Sequence, residues 1–435
     1  MANKLLAKLS LHLSLLALAF FPSGQAFSQL PPTLPTQPYN YVDYATTNLP
    51  DHFQFGDVEL TNNSPADNPL TNDGATLGRV LFYDNTLSFA RNISCASCHT
   101  QDTGFTDIRQ FSTGHKFQLT DRHSMALTNA TYYVSGKFRW DEAADTLEEQ
   151  VLLPISAPNE MALPISFLPA RLNQMPHYPL LFEQAFGDKE ITIDRVAKAL
   201  AQFIRAMVSY NSKYDTAVQI LDDEGLPDFS QTYNESELLG QQLFERTDNS
   251  VNCNVCHGTA AHVGNEARNI GLDLVDTDIG AGDGRFKVPS LRNVEVRGRF
   301  MHDGRFKTLE AVVEFYNSQV EDNVNLDPLL RVDGEPDSEV LRLELTDAEK
   351  VAIVDFMKTL TDHRILNDPK FSDPFSDPKI IVGDVNQDGS INTLDVVPFI
   401  NVILDGTYQF EADADLDGRA NLLDVGRFVD LLLGN

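Results

Sequence analysis

Three things are scarce in this chain: cationic charge, cysteine and tryptophan. Its 435 residues include 33 lysines and arginines against 63 aspartates and glutamates, a formal net charge of −30. That excludes a nucleic-acid partner, whose phosphates need a basic surface. It suits calcium and basic or neutral proteins. Strand patterns are sparse as well, which points to a mainly α fold. Apolar runs are short. Leu9 to Phe21 is interrupted by Ser10, His12 and Ser14, and nothing later is apolar enough to span a membrane. There is one tryptophan, Trp140, and the four cysteines are all used in two short motifs.

The motifs are Cys95-Ala96-Ser97-Cys98-His99 and Cys253-Asn254-Val255-Cys256-His257. This spacing lets two thiols bond covalently to the vinyl groups of a haem while the adjacent histidine ligates the iron from one side. By residue type the cysteines also suit a split zinc site or a redox dithiol, but neither calls for histidine directly after both pairs. Two covalent c-type haems make this a redox protein.

Residues 1–28 read as a secretory signal: Lys4 and Lys8 at the start, the short apolar stretch, then Ala26-Phe27-Ser28 for cleavage. Export suits c-type haem attachment and places the mature protein in the periplasm or outside the cell. Residues 29–44 form a proline-rich lead. Helical patterns dominate after the first haem motif. Ile193, Val196, Ala197, Leu200, Phe203, Ile204 and Met207 mark one apolar face. Glu235 to Arg246 leads into the second motif. Thr308 to Phe315 and Thr346 to Leu360 follow, the latter with a capping box of Thr346 and Glu349. The haem region divides into 45–211 and 212–365, two cytochrome c-like domains. Three Asp-Pro dipeptides mark 366–380 as a linker.

A small α-helical, EF-hand-like module follows at 381–435. Asp384, Asn386, Asp388, Asn392 and Asp395 occupy the ligand positions of a calcium loop, with Gly389 at the sharp turn. Asp413, Asp415, Asp417, Asn421 and Asp424 repeat the pattern around Gly418. Each loop runs into an apolar segment. Aspartate at the last position resembles dockerin modules, which implies a cohesin-like partner. A calcium-stabilised terminal domain without a partner is the plainer reading, because the recognition positions Thr393-Leu394 and Leu422-Leu423 are not closely matched copies.

Further stretches lie in order around the haem motifs: Phe138 to Glu142, Leu147 to Gln150, Pro154, Asn159 to Met161, Phe286 to Asn293, Met301 to Glu310 and Phe315 to Asn317. With the two motifs, over residues 45–365, they resemble the bacterial di-haem cytochrome c peroxidase and MauG superfamily. The resemblance implies a peroxide-reacting haem on His99 and an electron-relaying haem on His257. It implies that Trp140 lies between them, that Glu160 is the distal acid–base group, that Gln150 is the distal amide and that Pro154 keeps the pocket tight. Read alone, Trp140 is a core aromatic, and Glu160 and Gln150 are surface polar residues.

Two positions bear on the branch of the family. Ordinary peroxidases carry a methionine ligand where this chain has Tyr316. Tyrosine there resembles the MauG branch, where an anionic oxygen ligand favours high-valent iron. His115 lies where ordinary peroxidases carry a removable distal histidine, which MauG-type enzymes lack, though flanking Gly114 and Lys116 equally suit an exposed loop. His123 replaces the usual asparagine of an interdomain calcium site, which sets that ion apart from the two expected in the C-terminal module. The implied activity is hydrogen peroxide reduction with electrons from a small cytochrome or cupredoxin. The alternatives are a MauG-like oxidase of a protein substrate and a passive electron-transfer protein. Related enzymes often form homodimers.

Overall fold

The computed structural model describes residues 32, 43–45, 49–55, 57–246, 253–375, 385, 391–405, 412, 414, 422 and 424–433. The expected signal, most of the proline-rich lead and the calcium-loop positions Asp384, Asn386, Asp388, Asp413, Asp415, Asp417 and Asn421 lie outside them.

Among the described residues the fold is mainly helical, with isolated β-bridges in place of strands. Four helices frame the haem region: α1 (Asn72–Tyr83), α2 (Ile193–Arg205), α3 (Glu235–Glu245) and α4 (Asp347–Lys358). Their starts follow from capping chemistry. Side-chain oxygens of Thr71, Thr192, Asn234 and Thr346 each accept from an amide of the first turn, which would otherwise lack a partner. The expected box of Thr346 and Glu349 is present, and Asn234 with Glu237 forms a second.

The four helices form two equivalent crossings. A Cβ added to Gly78 on α1 would lie 2.0 Å from the carbonyl oxygen of Ala199 on α2 and 2.7 Å from Phe203 Cβ. On Gly240 of α3 it would lie 1.9 Å from the carbonyl oxygen of Ala352 on α4 and 2.8 Å from Phe356 Cβ. Only glycine allows backbones this close. The first crossing buries Leu77, Leu81, Phe82, Leu200 and Phe203; the second buries Phe244, Phe356 and Leu360. Each such side chain contributes ~2 kcal/mol of burial.

A second repeated device ties each crossing to its haem segment. Asn129 (φ 62) and Asn293 (φ 61) are left-handed residues that open short 3-10 turns. The Asn129 amide donates to Met207 O just beyond α2, and the Asn293 amide donates to Leu360 O just beyond α4. Their side-chain oxygens then accept from Ser209 N and Asp362 N, 2.8 Å each.

The first part of the expected linker is packed rather than extended. Leu366, Phe371 and Phe375 belong to the core beneath α1. Tyr83 donates to Phe371 O and Arg79 to Ser372 O, 2.6 Å each. Asp368, in an Asp-Pro pair, caps the 3-10 turn Pro369–Phe371 instead of interrupting structure. At the C-terminus, α5 (Val396–Asp405) and α6 (Asp424–Leu432) stack Phe399 on Phe428 with ring centroids 3.9 Å apart. Asp395, at the foot of α5, and Asp424, opening α6, are fully buried. Asn392 and Asp395 close a capping box there.

Candidate haem centres

The first motif forms the 3-10 turn Cys95–Ser97, steadied by Ser94 N–H donating to Ser97 Oγ at 3.0 Å. His99 Nδ1 donates to Phe105 O at 2.9 Å, which fixes the tautomer and leaves Nε2 for a metal. The acceptor is placed by strain. Phe105 is a bulky residue in the left-handed region (φ 60), held there by a fully buried ring against Phe82 and Phe371. The second motif repeats this. His257, on the short helix Asn254–His257, donates Nδ1–H to His262 O at 3.3 Å, and His262 is likewise left-handed (φ 52) and buried. Burial pulls the pKa of His99 down and that of His257 down to about 4, so both rings are neutral, as ligands must be.

Pro154 and Glu160 lie on one compact turn that follows the helix Leu147–Gln150. Met161 N–H donates to Pro154 O at 3.1 Å. Gly114 presses on this turn, since a Cβ there would come 2.0 Å from Asn159 O, and His115 N–H donates to Glu160 O at 2.7 Å. The His115 ring meets Phe89 edge-on at 5.5 Å, and Lys116 and Phe117 beyond it are both left-handed. Burial raises the Glu160 carboxyl above the usual carboxylate range; Arg139 opposes this and Asp121 adds to it. Burial is the main cause that raises the thiols of Cys95 and Cys98, and the charge of Glu160 adds a smaller contribution to each. Gln150, ending the helix Leu147–Gln150, keeps a buried Oε1 with no protein hydrogen-bond partner.

The second motif opens into an apolar cavity of about 220 Å³ lined by Cys253, Cys256, His257, Met301, Tyr316 and Trp140. Tyr316 lies on a five-residue π-helical turn, Phe315–Gln319, that continues the helix Leu309–Glu314. Such turns re-aim a side chain and recur at functional sites. Burial, then the sulfurs of Cys256 and Cys253, raise the phenol's pKa well above its ordinary value. Arg268 and Arg297 also line the cavity, and each keeps a buried Nε that no protein acceptor meets.

Trp140 belongs to a loop that precedes the second motif yet lines the second cavity. Its indole N–H donates to His123 O at 2.7 Å. The His123 ring is spent on the protein itself, with Nδ1 3.2 Å from both Arg109 O and Gln110 O and Nε2 3.2 Å from Thr106 Oγ1. Among the described residues no set of three or more His, Cys, Asp or Glu side chains is arranged to hold a metal ion.

These residues fit two c-type haems. All four thiols are free, both histidines are oriented, and the apolar cavity carries two unpaired arginine nitrogens suited to carboxylate groups. Cys95, Cys98 and His99 would hold one haem, and Cys253, Cys256 and His257 the other. Sequence reasoning passed over Phe105 and His262, whose strained carbonyls orient the histidines. Lys287, within the Phe286–Asn293 stretch, carries no sequence signal of a role either.

Known proteins bear on the same residues. A family model described as di-haem cytochrome c peroxidase matches residues 72–223 and 234–336, and one for the dockerin type I domain matches 382–430. The methylamine utilization protein MauG of Methylophilus methylotrophus is 32% identical over 305 residues, covering 68% of this chain and 85% of the relative. The cytochrome c551 peroxidase of Nitrosomonas europaea is 34% identical over 258 residues, covering 57% and 73%. A crystal structure of a MauG-like protein associated with microbial copper homeostasis superposes with a TM-score of 0.63 at 27% identity, covering 76% of this chain and 99% of that one. The diheme peroxidase BthA of Burkholderia thailandensis shares the fold, with a TM-score of 0.57 at 22% identity over 70% and 91% of the two chains. No helix among the described residues is long and apolar enough to cross a membrane. With its paired haem motifs in two matching frames, the chain belongs to the di-haem cytochrome c peroxidase family, is an oxidoreductase of the peroxidase type, and ends in a dockerin type I domain.

Proposed function

We propose that the protein is exported and reduces hydrogen peroxide to water at the His99 centre, with electrons relayed through the His257 centre from a small cytochrome or cupredoxin. The observation that carries this is an asymmetry. A largely buried carboxyl with a raised pKa, Glu160, is the carboxyl whose charge is felt at both thiols of the first motif. A phenol, Tyr316, stands in the cavity of the second. A haem at each centre supplies an iron that gives and takes single electrons.

Cleaving the peroxide O–O bond consumes two electrons and two protons and yields two waters. Glu160 would take a proton from one peroxide oxygen and return it to the other, which leaves as water. Burial suits it to this by making the carboxylate a stronger base than an exposed one, and so better able to take a proton and then return it. The amide of Gln150, with its unpartnered oxygen, orients peroxide, and Pro154 limits what else enters. Trp140 passes electrons between the centres. The test is steady-state oxidation of a reduced small cytochrome by the holoprotein. Peroxide-dependent oxidation is expected, and its absence with every reduced donor refutes the proposal.

Tyr316 favours a second reading, a MauG-like oxidation of a protein substrate. A long-lived oxidised state after peroxide, with slow turnover of a cytochrome donor, would select it. For the C-terminal module, two calcium ions in the loops of Asp395 and Asp424 and a cohesin-like partner are the corresponding proposals. The burial of both aspartates at the feet of α5 and α6 supports the first.

A further inference from the structure

Trp140 sits on an irregular loop. Its indole N–H donates to His123 O and the next residue, Asp141, pairs with Arg122, but the two flanks of the loop need a further tie. Residues 134–144 contain no helix, close through a single bridge between Phe138 and Ala144, and include three left-handed residues: Gly136 (φ 64), Arg139 (φ 71) and Glu142 (φ 52). Arg139 directly precedes the tryptophan and carries a side chain that this conformation disfavours. Such a loop keeps one shape only if something outside it fixes that shape.

Lys287 does so. It comes from the segment after the second haem motif and lines the second cavity beside Phe286 and Val288. Its backbone N–H donates to the carbonyl of Trp140 at 2.8 Å. Its side chain then runs into the tryptophan loop. The ammonium donates to Lys137 O at 2.7 Å, to Ser135 Oγ at 3.2 Å and to Glu142 Oε1 at 3.4 Å. Three N–H bonds thus meet three acceptors on both flanks of Trp140. The ammonium also stands 4.1 Å from the centre of the Tyr133 ring, and the residue is only 4% exposed. Lysine is among the residues least often buried, because the charge loses its water. Burial lowers this one to about 8 against the opposing Glu142 carboxylate, so it stays charged near neutral pH. A compact ammonium fits this cage; the planar fork of arginine does not.

We propose that Lys287 is a positioning residue for inter-haem electron transfer: a buried cation that clamps the Trp140 loop and fixes the indole between the two centres. The inference rests on the relay role of Trp140 proposed above, so its test separates the two. Trp140 is the only tryptophan. Its picosecond emission decay in the holoprotein, set by energy transfer to haem, therefore reports the orientation of that one ring without reference to activity. Inter-haem transfer is followed by flash reduction.

Lys287→Met should turn a single-component decay into several and slow inter-haem transfer about tenfold. In a Trp140→Phe background it should add no further slowing, because it acts through the tryptophan. An unchanged decay overturns the proposal. So does equal slowing by Lys287→Met with and without Trp140, which would mark a general structural role. If Trp140→Phe alone does not slow transfer, the relay reading falls while the decay still tests the clamp. Should Lys287→Met fail to take up both haems, Glu142→Gln loosens the same clamp from its other end. It should move the decay in the same direction by less, and no movement there overturns the proposal.

Discussion

The two halves of the haem region differ least where they hold the haem and most in what faces it. Gly78, Ala199 and Phe203 recur as Gly240, Ala352 and Phe356. Asn129 recurs as Asn293, and the strained carbonyl of Phe105 recurs as that of His262. Nothing of the kind links Glu160, Gln150 and Pro154 to Tyr316 and Met301. The frame makes a neutral, oriented histidine beside two thiols. The segments between the frame helices then decide whether the half carries a buried carboxyl of raised pKa or a buried phenol. Function in this molecule varies independently of fold because the variable residues lie outside the helix crossings.

The largest expected consequence falls on the first centre alone. Glu160→Gln should lower peroxide turnover about a thousandfold while leaving reduction of the His257 haem by a donor unchanged. The pH dependence has a definite sign. Because burial raises the carboxyl's pKa, its basic form is lost as pH falls through a value above the usual carboxylate range. Turnover should therefore decline on the acid side in the wild type, and that limb should vanish in the variant. Survival of the limb in Glu160→Gln would move the proton-carrying role elsewhere.

The next effect singles out the second half. Arg292 is fully buried and bonds Asp215 through both nitrogens, at 2.6 and 2.9 Å. Burial opposes ionisation of Asp215, but Arg292, His52 and Ser212 outweigh it and hold the carboxyl well below its ordinary range. Asp215→Asn strands a buried guanidinium and should cost about 3–5 kcal/mol, read by denaturant unfolding of the holoprotein. Since the native pKa is depressed, this stabilisation exists above the unfolded carboxyl's pKa and is lost as pH falls towards the native one. The comparable pair in the first half, Arg205 with Glu148, is less buried on the acid side, and Glu148→Gln should cost less.

Much of this was legible in the sequence, and the part that was not has physical reasons. The haem motifs were plain because covalent attachment demands a fixed spacing. The α2 stripe and the Thr346–Glu349 box were plain because periodicity and capping are local. The carbonyls of Phe105 and His262 were hidden because a left-handed backbone usually announces itself through glycine or asparagine, and these two are bulky. Lys287 was hidden because a lysine reads as surface unless its cage is known, and the cage spans more than 140 residues of chain. The packed stretch 366–375 was read as linker from its Asp-Pro pairs. Phe371 and Phe375, which anchor it, are separated by Asp373-Pro374, so their four-residue spacing does not read as a helix.

If the frames are equivalent, the crossings should fail alike. Gly78→Ala and Gly240→Ala each place a methyl group about 2 Å from a backbone oxygen. Each should cost ~1–3 kcal/mol through overpacking, again read by unfolding. Two costs within ~0.5 kcal/mol of each other would support one shared design. A tolerated alanine at one site would mean that its helices can separate and that the two frames differ in rigidity.

The smallest effect concerns His115, whose backbone is tied to Glu160 while its loop continues through the left-handed Lys116 and Phe117, the latter 90% exposed. A side chain on such a loop can approach an iron or leave it at little cost, because few buried contacts hold it. His115→Ala should then change only the first ferric signal in electron paramagnetic resonance, from low spin to high spin, and leave the second as it was. A first signal that is already high spin in the unaltered protein would place His115 outside the coordination sphere. The first centre would then be open at rest, as the tyrosine at the second would lead one to expect of a MauG-like enzyme. A low-spin signal that His115→Ala abolishes would instead set a closing histidine at one centre against a tyrosine at the other.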